Sequence, residues 1–364
     1  NCHAHRVRPI LLETERQMDE DEFDVAIVGG GPVGLTLALA LTGALGGMRI
    51  AVLDRRDFAV PLDQRASAIA AGVKRVFETL GLWPALESAA SPVRGMRITD
   101  SGSADIARPL FLKFEGEVAP GEPFAYMLPN TAVIAALLEA LQGQVTFIAP
   151  VDVTGFAAGG AGGRLSLADG RVIRAPLIVA SDGGNSALRR MAGISVIGHD
   201  YGQSGIVTTI SHELDHEGIA YEHFRPAGPF ASLPLAGRRS SLVWTESKAE
   251  AERYREMELS QVAEQIEAVM GGSLGAVTVE DKLQTFALRL QLARDFVAPR
   301  LALIGDAAHV VHPIAGQGLN LGLKDVAALA EVVVEAMRLG LDHGADDVLG
   351  RYQRWRRFDT ALMA

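Results

Sequence analysis

The feature that most limits how this chain folds is a glycine-rich loop near its beginning, Gly29-Gly30-Gly31-Pro32-Val33-Gly34. A β-branched run at 23–28 enters this loop, and a helical pattern leaves it. Glycines spaced as G-x-G-x-x-G allow a tight turn and direct helix N–H groups at a pyrophosphate. Asp54 ends the next strand, 20 residues after Gly34, where a carboxylate accepts hydrogen bonds from ribose hydroxyls. This register favours a dinucleotide-binding βαβ unit over a structural turn with a surface aspartate. The residues predicted to contact the dinucleotide here are Gly29, Gly31, Pro32, Val33, Gly34, Asp54 and Arg55.

A second loop, late in the chain, also follows a buried strand. Gly305-Asp306 comes after the apolar run 301–304, where a carboxylate is placed to bind a polyol such as the ribityl chain of a flavin. Gly316-Gln317-Gly318-Leu319-Asn320 then opens a long helix, whose N–H groups and positive dipole end would stabilise negative charge on a reduced flavin. Taken alone, this segment is explained equally well as a capped core helix behind a glycine turn.

Composition excludes several classes of protein. The 364 residues are 48% hydrophobic with a net charge of −10, which argues against a disordered chain and against a dedicated nucleic-acid binder. The single cysteine, Cys2, fits a reducing compartment, so we expect a cytoplasmic protein. The longest apolar stretch, 35–45, has about half the length of a membrane-spanning helix. Met18 precedes an acidic run and a strand, so we expect it to be the natural start.

Together these motifs resemble those of the class A flavoprotein monooxygenases, the p-hydroxybenzoate hydroxylase type. Within that class the chain looks most like the ubiquinone-biosynthesis hydroxylases. The resemblance covers about residues 22–363 and implies bound FAD, NAD(P)H as co-substrate, O₂, and hydroxylation of a phenol by a flavin C4a-hydroperoxide. Because the chain has one G-x-G-x-x-G, we expect NAD(P)H to dock transiently. The motifs that carry the resemblance are GGGPVG (29–34), Asp54, DQRA (63–66), SDGGNS (181–186), FRPAGPFASLPL (224–235) and GDAAHVVHPIAGQGLNLGLKD (305–325).

The resemblance also assigns roles to single residues. Arg65 corresponds to an arginine near the cofactor's ribose and phosphates, and Asp182-Gly183 to a motif linked to both FAD and the pyridine nucleotide. Asp306 corresponds to the ribityl-binding aspartate. Pro313 corresponds to a proline whose backbone faces the flavin ring, so the resemblance makes it part of the catalytic centre.

Two further transfers leave alternatives open. Asn130 corresponds to an amide near the flavin, but it begins a helix, where a helix cap explains it as well. His309 is a candidate catalytic residue beside the flavin loop, with a structural hydrogen-bonding histidine as the alternative. The sequence also departs from the pattern at Thr131, where many relatives carry an arginine, and its early end at Ala364 leads us to expect a further C-terminal segment.

The element order predicts an α/β fold, in which a Rossmann-like FAD-binding domain is interrupted by a mostly antiparallel β-sheet substrate domain. The strand and helix patterns change character near residue 199 and return to α/β character near residue 282. The predicted segments are an N-terminal tail at 1–21, an FAD-binding domain at 22–92, 124–198 and 282–340, a substrate domain at 93–123 and 199–281, and a C-terminal helical segment at 341–364.

Two other motifs permit a second interpretation. His212-Glu213-Leu214-Asp215-His216 matches the zinc-protease pattern H-E-x-x-H, but the preceding residues favour a strand, so we predict a connection between strands and no metal. The run at 351–357, RYQRWRR, is typical of a solvated helix face; in an enzyme that acts on lipids it would instead meet anionic headgroups. Peripheral contact with the inner face of a membrane, or with a biosynthetic complex, is therefore one expectation.

The predicted substrate is an aromatic ring with an apolar, prenyl-type tail. The strand segments 230–235 and 242–244 offer almost no cation or hydroxyl to hold a carboxylate, and Arg225 only borders the first of them. The rival functions are a flavin halogenase or prenyl reductase on the same scaffold, and a binding protein that has the flavoprotein fold without flavin. A tryptophan-type halogenase is disfavoured because Trp83, Trp244 and Trp355 stand alone and form no W-x-W-x-I-P motif. The binding protein is disfavoured because it need not keep Asp54, Asp306 and the glycines at 316–318 together.

Overall fold

The structure, a computed structural model, describes residues 20–62, 65–102, 110–311 and 317–361. The strands in this part of the chain are β1 (Glu20–Glu22), β2 (Val25–Val28), β3 (Ile50–Leu53), β4 (Ala66–Ala70), β5 (Ser91–Val93), β6 (Gly95–Asp100), β7 (Leu110–Glu115), β8 (Glu117–Ala119), β9 (Glu122–Pro123), β10 (Ala125–Pro129), β11 (Thr146–Ile148), β12 (Val153–Gly159), β13 (Gly162–Leu167), β14 (Val172–Ala175), β15 (Leu177–Ala180), β16 (Val196–His212), β17 (Ile219–Arg225), β18 (Gly228–Leu235), β19 (Arg239–Ser247), β20 (Val277–Val279), β21 (Gln284–Ala293), β22 (Val297–Ala298), β23 (Leu301–Leu303) and β24 (His309–Val310). The α-helices in the same ranges are α1 (Pro32–Ala44), α2 (Ala71–Thr79), α3 (Trp83–Leu86), α4 (Asn130–Ala140), α5 (Ala187–Met191), α6 (Lys248–Glu256), α7 (Leu259–Met270), α8 (Gln317–Arg338) and α9 (Asp346–Ala361).

The first layer is a sheet with the strand order β11-β3-β2-β15-β23-β22, which we call the parallel sheet. Its pairs are parallel except for the terminal pair β22 and β23. The strands β2, β3, β15 and β23 are buried along their whole length, as expected for apolar strands covered on both faces. The predicted succession of strand, glycine loop, helix and strand at the start of the chain is confirmed. The carboxyl ends of these strands therefore share one edge, which carries the glycine loop and Asp54.

The second layer is a large sheet with the order β24-β21-β16-β19-β18-β17-β6-β7, to which β20 adds by pairing with β16. Its described pairs are antiparallel except β17 with β6. The strand β21 extends this sheet past residue 282, where the sequence placed a domain boundary. Apolar residues of α6 and α7 cover one face of the sheet together with Phe230, Leu242 and Trp244.

Three smaller sheets and the C-terminal helices complete a mixed α/β fold. The small sheets have the orders β1-β14-β13-β12, β4-β10-β5 and β8-β9. The long helix α8 packs against α1 and α9, and the hydroxyl of Tyr352 on α9 donates a hydrogen bond of 2.7 Å to the carbonyl of Leu303. Among the described helices, none combines the length and the apolar character needed to cross a membrane.

Candidate functional site

The glycine loop brings the end of β2, the start of α1 and the end of β15 together. Gly29 has a φ of +114°, and a Cβ there would lie 2.1 Å from the carbonyl oxygen of Ser181. A Cβ on Gly34 would lie 2.1 Å from the carbonyl oxygen of Gly29. Gly31 precedes α1 with an extended backbone, and no atom lies within 4 Å of its Cβ position. Two of the motif glycines are thus required by close packing, whereas Gly31 leaves open space beside the helix N-terminus.

Asp54 connects this loop to the end of β3. Its Oδ2 accepts a hydrogen bond of 2.8 Å from the backbone N–H of Gly30, and its Oδ1 accepts one of 2.8 Å from that of Arg56. A carboxylate has about four acceptor sites, so these two bonds fix its position and leave capacity for ribose hydroxyls. The ribose contact itself remains a prediction.

A cavity of about 750 Å³ lies between this edge of the parallel sheet and one face of the large sheet. Its volume is within the range typical of small-molecule and cofactor sites. Residues of both the parallel sheet edge and the large sheet contribute to its lining. The residues predicted as cofactor-binding that line it are Gly29, Gly31, Pro32, Val33, Asp54, Arg55, Arg65, Asn130, Asp182, Gly183, Asp306, Gly318 and Leu319.

Asp306 is the acidic side chain that follows β23 at the cavity. Its side chain keeps an exposed surface because it faces the cavity, while protein surrounds it on the other sides. This burial raises the pKa of Asp306, against the opposing attraction of His309, Arg65 and Arg289. The guanidinium of Arg65 also lies over the ring of Phe286, with its Cζ 5.1 Å from the ring centroid. Arg65 and Arg289 therefore supply positive charge around a carboxylate placed to bind a polyol.

Asp182 and Asn130 have clear structural partners in addition to their place in the cavity wall. The Asp182 Oδ2 accepts hydrogen bonds from the N–H groups of Ala187 and Leu188 at the start of α5, whereas its buried Oδ1 has no partner among the described residues. The Asn130 Oδ1 accepts a hydrogen bond of 2.7 Å from the Ser67 hydroxyl. Pro129 is the N-cap residue of α4 and Asn130 is the first residue of the helix, so the role of Asn130 at the flavin remains a prediction.

Three predicted cofactor residues lie behind the cavity wall. Gly34 and Gly305 support the glycine loop and the Asp306 turn, and Gly305 donates its N–H to the Oδ2 of Asp325 at 2.9 Å. Asn320 is buried, and its amide bonds to the carbonyl of Ala68 and the N–H of Ala70 at 2.7 and 3.0 Å. These bonds tie α8 to β4. Asn320 thus positions the helix that carries Gly318 and Leu319.

His309 belongs to a buried charge network that sequence reasoning missed. Its Nε2 lies 2.6 Å from the Oδ2 of Asp325, and the Oδ1 of Asp325 accepts a hydrogen bond of 2.7 Å from the Nε of Arg356. All three side chains are buried. Burial alone would lower the pKa of Arg356, but Asp325 and Asp359 together raise it. His309 is not among the described residues that line the cavity, which favours the structural alternative over a catalytic role.

Some predicted positions lie outside the described residues. They include Pro313 and Gly316, and the first two residues of the DQRA motif. Gln317 is described only as the first residue of α8. Their predicted roles at the flavin ring therefore remain predictions.

The zinc-protease pattern lies at a strand connection, as predicted. His212 ends β16, and the remaining residues lead to β17. His212 hydrogen bonds through Nδ1 to the carbonyl of Leu214 and through Nε2 to the hydroxyl of Ser240, at 2.7 and 3.1 Å. His216 bonds through Nε2 to the carbonyl of Leu235 and through Nδ1 to the N–H of Gly218. Both ring nitrogens of each histidine are engaged, and no group of three or more potential ligands occurs in the described part of the chain.

We therefore expect chelators to leave activity unchanged, because these imidazoles make hydrogen bonds that a metal ion would have to displace. The measurement is turnover after dialysis against EDTA, together with the zinc content by elemental analysis. Stoichiometric zinc that is lost in His216→Ala would contradict this expectation.

The glycine loop, the acid at the end of the next strand and the cavity between the two sheets belong to one α/β fold. The FAD binding domain family matches residues 22–361. The chain belongs to this family, and this membership confirms the expected cofactor, FAD.

Individual relatives agree with this membership. The ubiquinone hydroxylase UbiL of Rhodospirillum rubrum is 44% identical over 347 residues, which cover 93% of this chain and 79% of that protein. The 3-demethoxyubiquinol 3-hydroxylase of Escherichia coli is 35% identical, with 95% of this chain and 88% of that protein covered. Among solved structures, Pseudomonas putida p-nitrophenol 4-monooxygenase PnpA has a TM-score of 0.78 at 23% identity, covering 93% of this chain and 85% of that one. This last comparison shows a shared fold.

The residues present fit FAD. Gly31 leaves space at the helix N-terminus for a pyrophosphate. Asp54 and Asp306 face the cavity from the carboxyl ends of β3 and β23, which β2 and β15 separate in the parallel sheet. Arginines at positions 55, 65, 190 and 289 line the same cavity and would offset the charge of a bound pyrophosphate.

Replacing Asp306 with alanine is expected to weaken FAD binding by roughly 1.5–3 kcal/mol, because a charge-assisted hydrogen-bond acceptor is lost. The measurement is the dissociation constant of FAD by fluorescence titration, with Asp306→Asn as a variant of matched size. Unchanged FAD retention in Asp306→Ala, or a colourless protein without a thermal shift on addition of FAD, would contradict the assignment.

Proposed function

We propose that this chain is an FAD-dependent monooxygenase that uses NAD(P)H and O₂ to hydroxylate the ring of a prenylated phenol in ubiquinone biosynthesis. The observation that carries the proposal is the single cavity shared by the glycine loop, Asp306 and an apolar face of the large sheet. The names of the relatives in Rhodospirillum rubrum and Escherichia coli support the same reaction class. In this proposal the parallel sheet is the core of a Rossmann-like FAD-binding domain.

The chain's own residues bind, orient and shield the reacting groups. FAD, when bound, supplies the acceptor for the hydride of NAD(P)H and the chemistry that activates O₂. The N–H groups at the start of α1 hold the pyrophosphate, and Asp54 and Asp306 hold the polyhydroxylated parts of the cofactor. The N-terminus of α8 would stabilise negative charge on the flavin ring. The large sheet covers the ring and excludes water.

The cavity face of the large sheet indicates the substrate class. It carries Met96, Val207, Ala231, Leu233 and Val243, so alternate residues of the strands supply the apolar wall that the sequence predicted. Phe230, Leu242 and Trp244 point to the opposite, helix-covered face and do not contribute. Arg225 is paired with Glu246 at 2.8 Å and holds no substrate carboxylate in this arrangement.

Each CH₂ group that is buried against an apolar wall contributes roughly 0.8 kcal/mol of favourable binding free energy. We therefore expect the apparent affinity for prenylphenols to rise with tail length. The reduced enzyme should hydroxylate these phenols in air, with product identified by mass spectrometry and NAD(P)H oxidation followed by absorbance. Free p-hydroxybenzoate is the competing substrate in the same assay.

The opposite outcome is strong coupled turnover of p-hydroxybenzoate or salicylate with none for prenylphenols. That outcome would leave the flavin chemistry intact and refute the ubiquinone-pathway proposal. Two controls accompany this assay. The first is the wild type with its flavin kept oxidised, and the second is the same protein without substrate.

A substrate with a prenyl tail also favours contact with the cytoplasmic face of a membrane. In the run at 351–357, Tyr352 and Arg356 are buried, so the basic stretch is not a uniform face. Trp355 and Phe358 on the outer side of α9 are exposed, and Arg351 and Arg357 flank them. This surface is the part of the described chain that we propose rests on lipid headgroups.

A further inference from the structure

One carboxylate on the substrate side of the cavity has no partner. Glu222 lies on β17, opposite Ile98 of β6 and Ala231 of β18. The same cross-strand row continues from Ala231 to Val243 and Val207. Directly opposed residues share one face of a sheet, and Ala231, Val243 and Val207 line the cavity together with Glu222. Glu222 is the ionisable member of an otherwise apolar row.

The Glu222 side chain is deeply buried, with 7% of its surface exposed. It makes no hydrogen bond or ion pair with any residue of the described part of the chain. The pKa of Glu222 is raised, and the cause is desolvation by burial. The Glu222 carboxyl group opens onto the cavity and has no protein donor, so a ligand in the cavity that donates a hydrogen bond would stabilise it.

Polar side chains next to Glu222 in sequence and across to β6 form hydrogen bonds with each other on the opposite face of the sheet. His223 Nδ1 lies 2.8 Å from the Thr99 hydroxyl, and the Arg97 guanidinium donates to the Tyr221 hydroxyl at 3.3 Å. These side chains lie on the helix-covered face, to which odd-numbered residues of β17 point. Glu222 points the other way, into the cavity, where a substrate is its remaining source of a hydrogen-bond donor.

We propose that Glu222 accepts a hydrogen bond from the ring hydroxyl of the substrate and selects neutral phenols over aromatic carboxylates. This inference rests on the proposed function and specifies its substrate class further. A phenol supplies the O–H donor that the carboxylate needs, and its apolar ring and tail suit Met96, Leu233 and the cross-strand row. A benzoate would bring a second negative charge close to the Glu222 carboxylate, and the two like charges would repel each other.

A hydrogen bond to this carboxylate also prepares the ring for hydroxylation. Glu222 draws the phenolic proton towards its carboxylate oxygen, which leaves more electron density on the phenol oxygen and the ring carbons. A carboxylate of raised pKa is a better acceptor than an exposed one, so the effect is larger at this position. Because Glu222 would touch the substrate, it would be a catalytic residue in this reaction.

The test compares a ligand that donates the hydrogen bond with one that lacks the donor. The FAD-loaded enzyme is titrated with a phenol that carries one or two isoprene units, and with the methyl ether of the same phenol. Binding is followed by the change in flavin absorbance. The wild type should prefer the phenol over the ether by about tenfold or more, as for a hydrogen bond to a charged group.

The variants separate hydrogen bonding from structural support. Glu222→Leu should bind the phenol and the ether equally, whereas Glu222→Gln should keep part of the preference through its amide oxygen. The matched control is Glu115→Gln, which removes an exposed carboxylate paired with Lys113 on the same sheet and should behave as the wild type. Thermal unfolding without ligand should be unchanged or shifted upwards in both Glu222 variants, because an unsatisfied buried carboxyl is removed.

The possible failures point to different errors. A wild type that binds phenol and ether without preference, or a Glu222→Leu variant that keeps the preference, would overturn the role of Glu222 alone. Glu222→Gln with lowered thermal stability and equal losses for both ligands would show a structural role and overturn it as well. If the wild type holds FAD but binds neither ligand, the prenylphenol substrate class falls, and the role of Glu222 falls with it.

Discussion

Replacing Asp325 with asparagine is expected to lower the free energy of unfolding by about 3–5 kcal/mol. The Asp325 carboxylate is fully buried and binds Arg356, His309 and the N–H of Gly305 at 2.6 to 2.9 Å. Removing its charge leaves the buried guanidinium of Arg356 with Asp359 as its one remaining ionic partner among the described residues. The measurement is urea denaturation at saturating FAD, with wild type and variant compared at their midpoints.

Two controls test whether the charge pair is responsible. The double replacement Asp325→Leu with Arg356→Met should recover part of the lost stability, because breaking a buried pair costs more than replacing both partners with apolar residues. Glu335→Gln removes an exposed partner of Arg351 and should cost no more than about 1 kcal/mol. If Asp325→Asn unfolds at the same urea concentration as the wild type, the network does not hold the Asp306 turn to α8 and α9.

The parts of the fold that sequence predicts well are those that local chemistry determines. The glycine loop and the end of β3 depend on residues within one βαβ unit, so their register is readable from the chain. The turn at Asp169-Gly170 is similarly local: Gly170 has a φ of +90°, and β13 pairs with β14 across it. Asp54 and Gly31 were found for the same reason.

The large sheet was harder to predict because its pairing is non-local. β16 runs from Val196 to His212, but its buried residues lie mainly at 205–210. The earlier part is exposed, and it contains an irregularity between Asp200 and Ser204 where it pairs with β21. Val196, Ile197 and Tyr201 favour a strand, but the partner that extends β16 is β21, which lies about 90 residues away in the chain. β21, which follows the predicted boundary at residue 282, pairs with β16, and this long-range pairing cannot be read from the local sequence.

Three carboxylates show why site roles are not readable from motifs alone. Asp54 is satisfied by backbone N–H groups, Asp325 by His309 and Arg356, and Glu222 by no described residue. In the sequence, Glu222 is one acidic residue in an alternating strand, and Asp325 is one polar residue within a long helix. Their difference in burial and partners arises only when strands and helices distant in the chain come together.

Replacing Gly31 with valine is expected to lower the affinity for FAD by about 100-fold or more, because two or more hydrogen bonds to the pyrophosphate would be lost. The backbone of Gly31 is extended, with φ −78° and ψ 177°, so other residues adopt it without strain. No atom lies within 4 Å of the Cβ position, so the new side chain would extend into the cavity beside the helix N-terminus. Fluorescence titration of the apoprotein with FAD measures the loss.

The fold should survive this replacement, so a loss of FAD affinity can be distinguished from a general loss of structure. Valine caps a helix poorly, so a cost of up to about 1 kcal/mol in unfolding free energy is expected without FAD. Gly43→Val is the matched control, since Gly43 lies on the same helix with equally open surroundings, away from the cavity. Its FAD affinity should equal that of the wild type. FAD binding of normal strength in Gly31→Val would mean that the pyrophosphate does not approach α1 at this glycine, and the placement of the cofactor across the parallel sheet would be wrong.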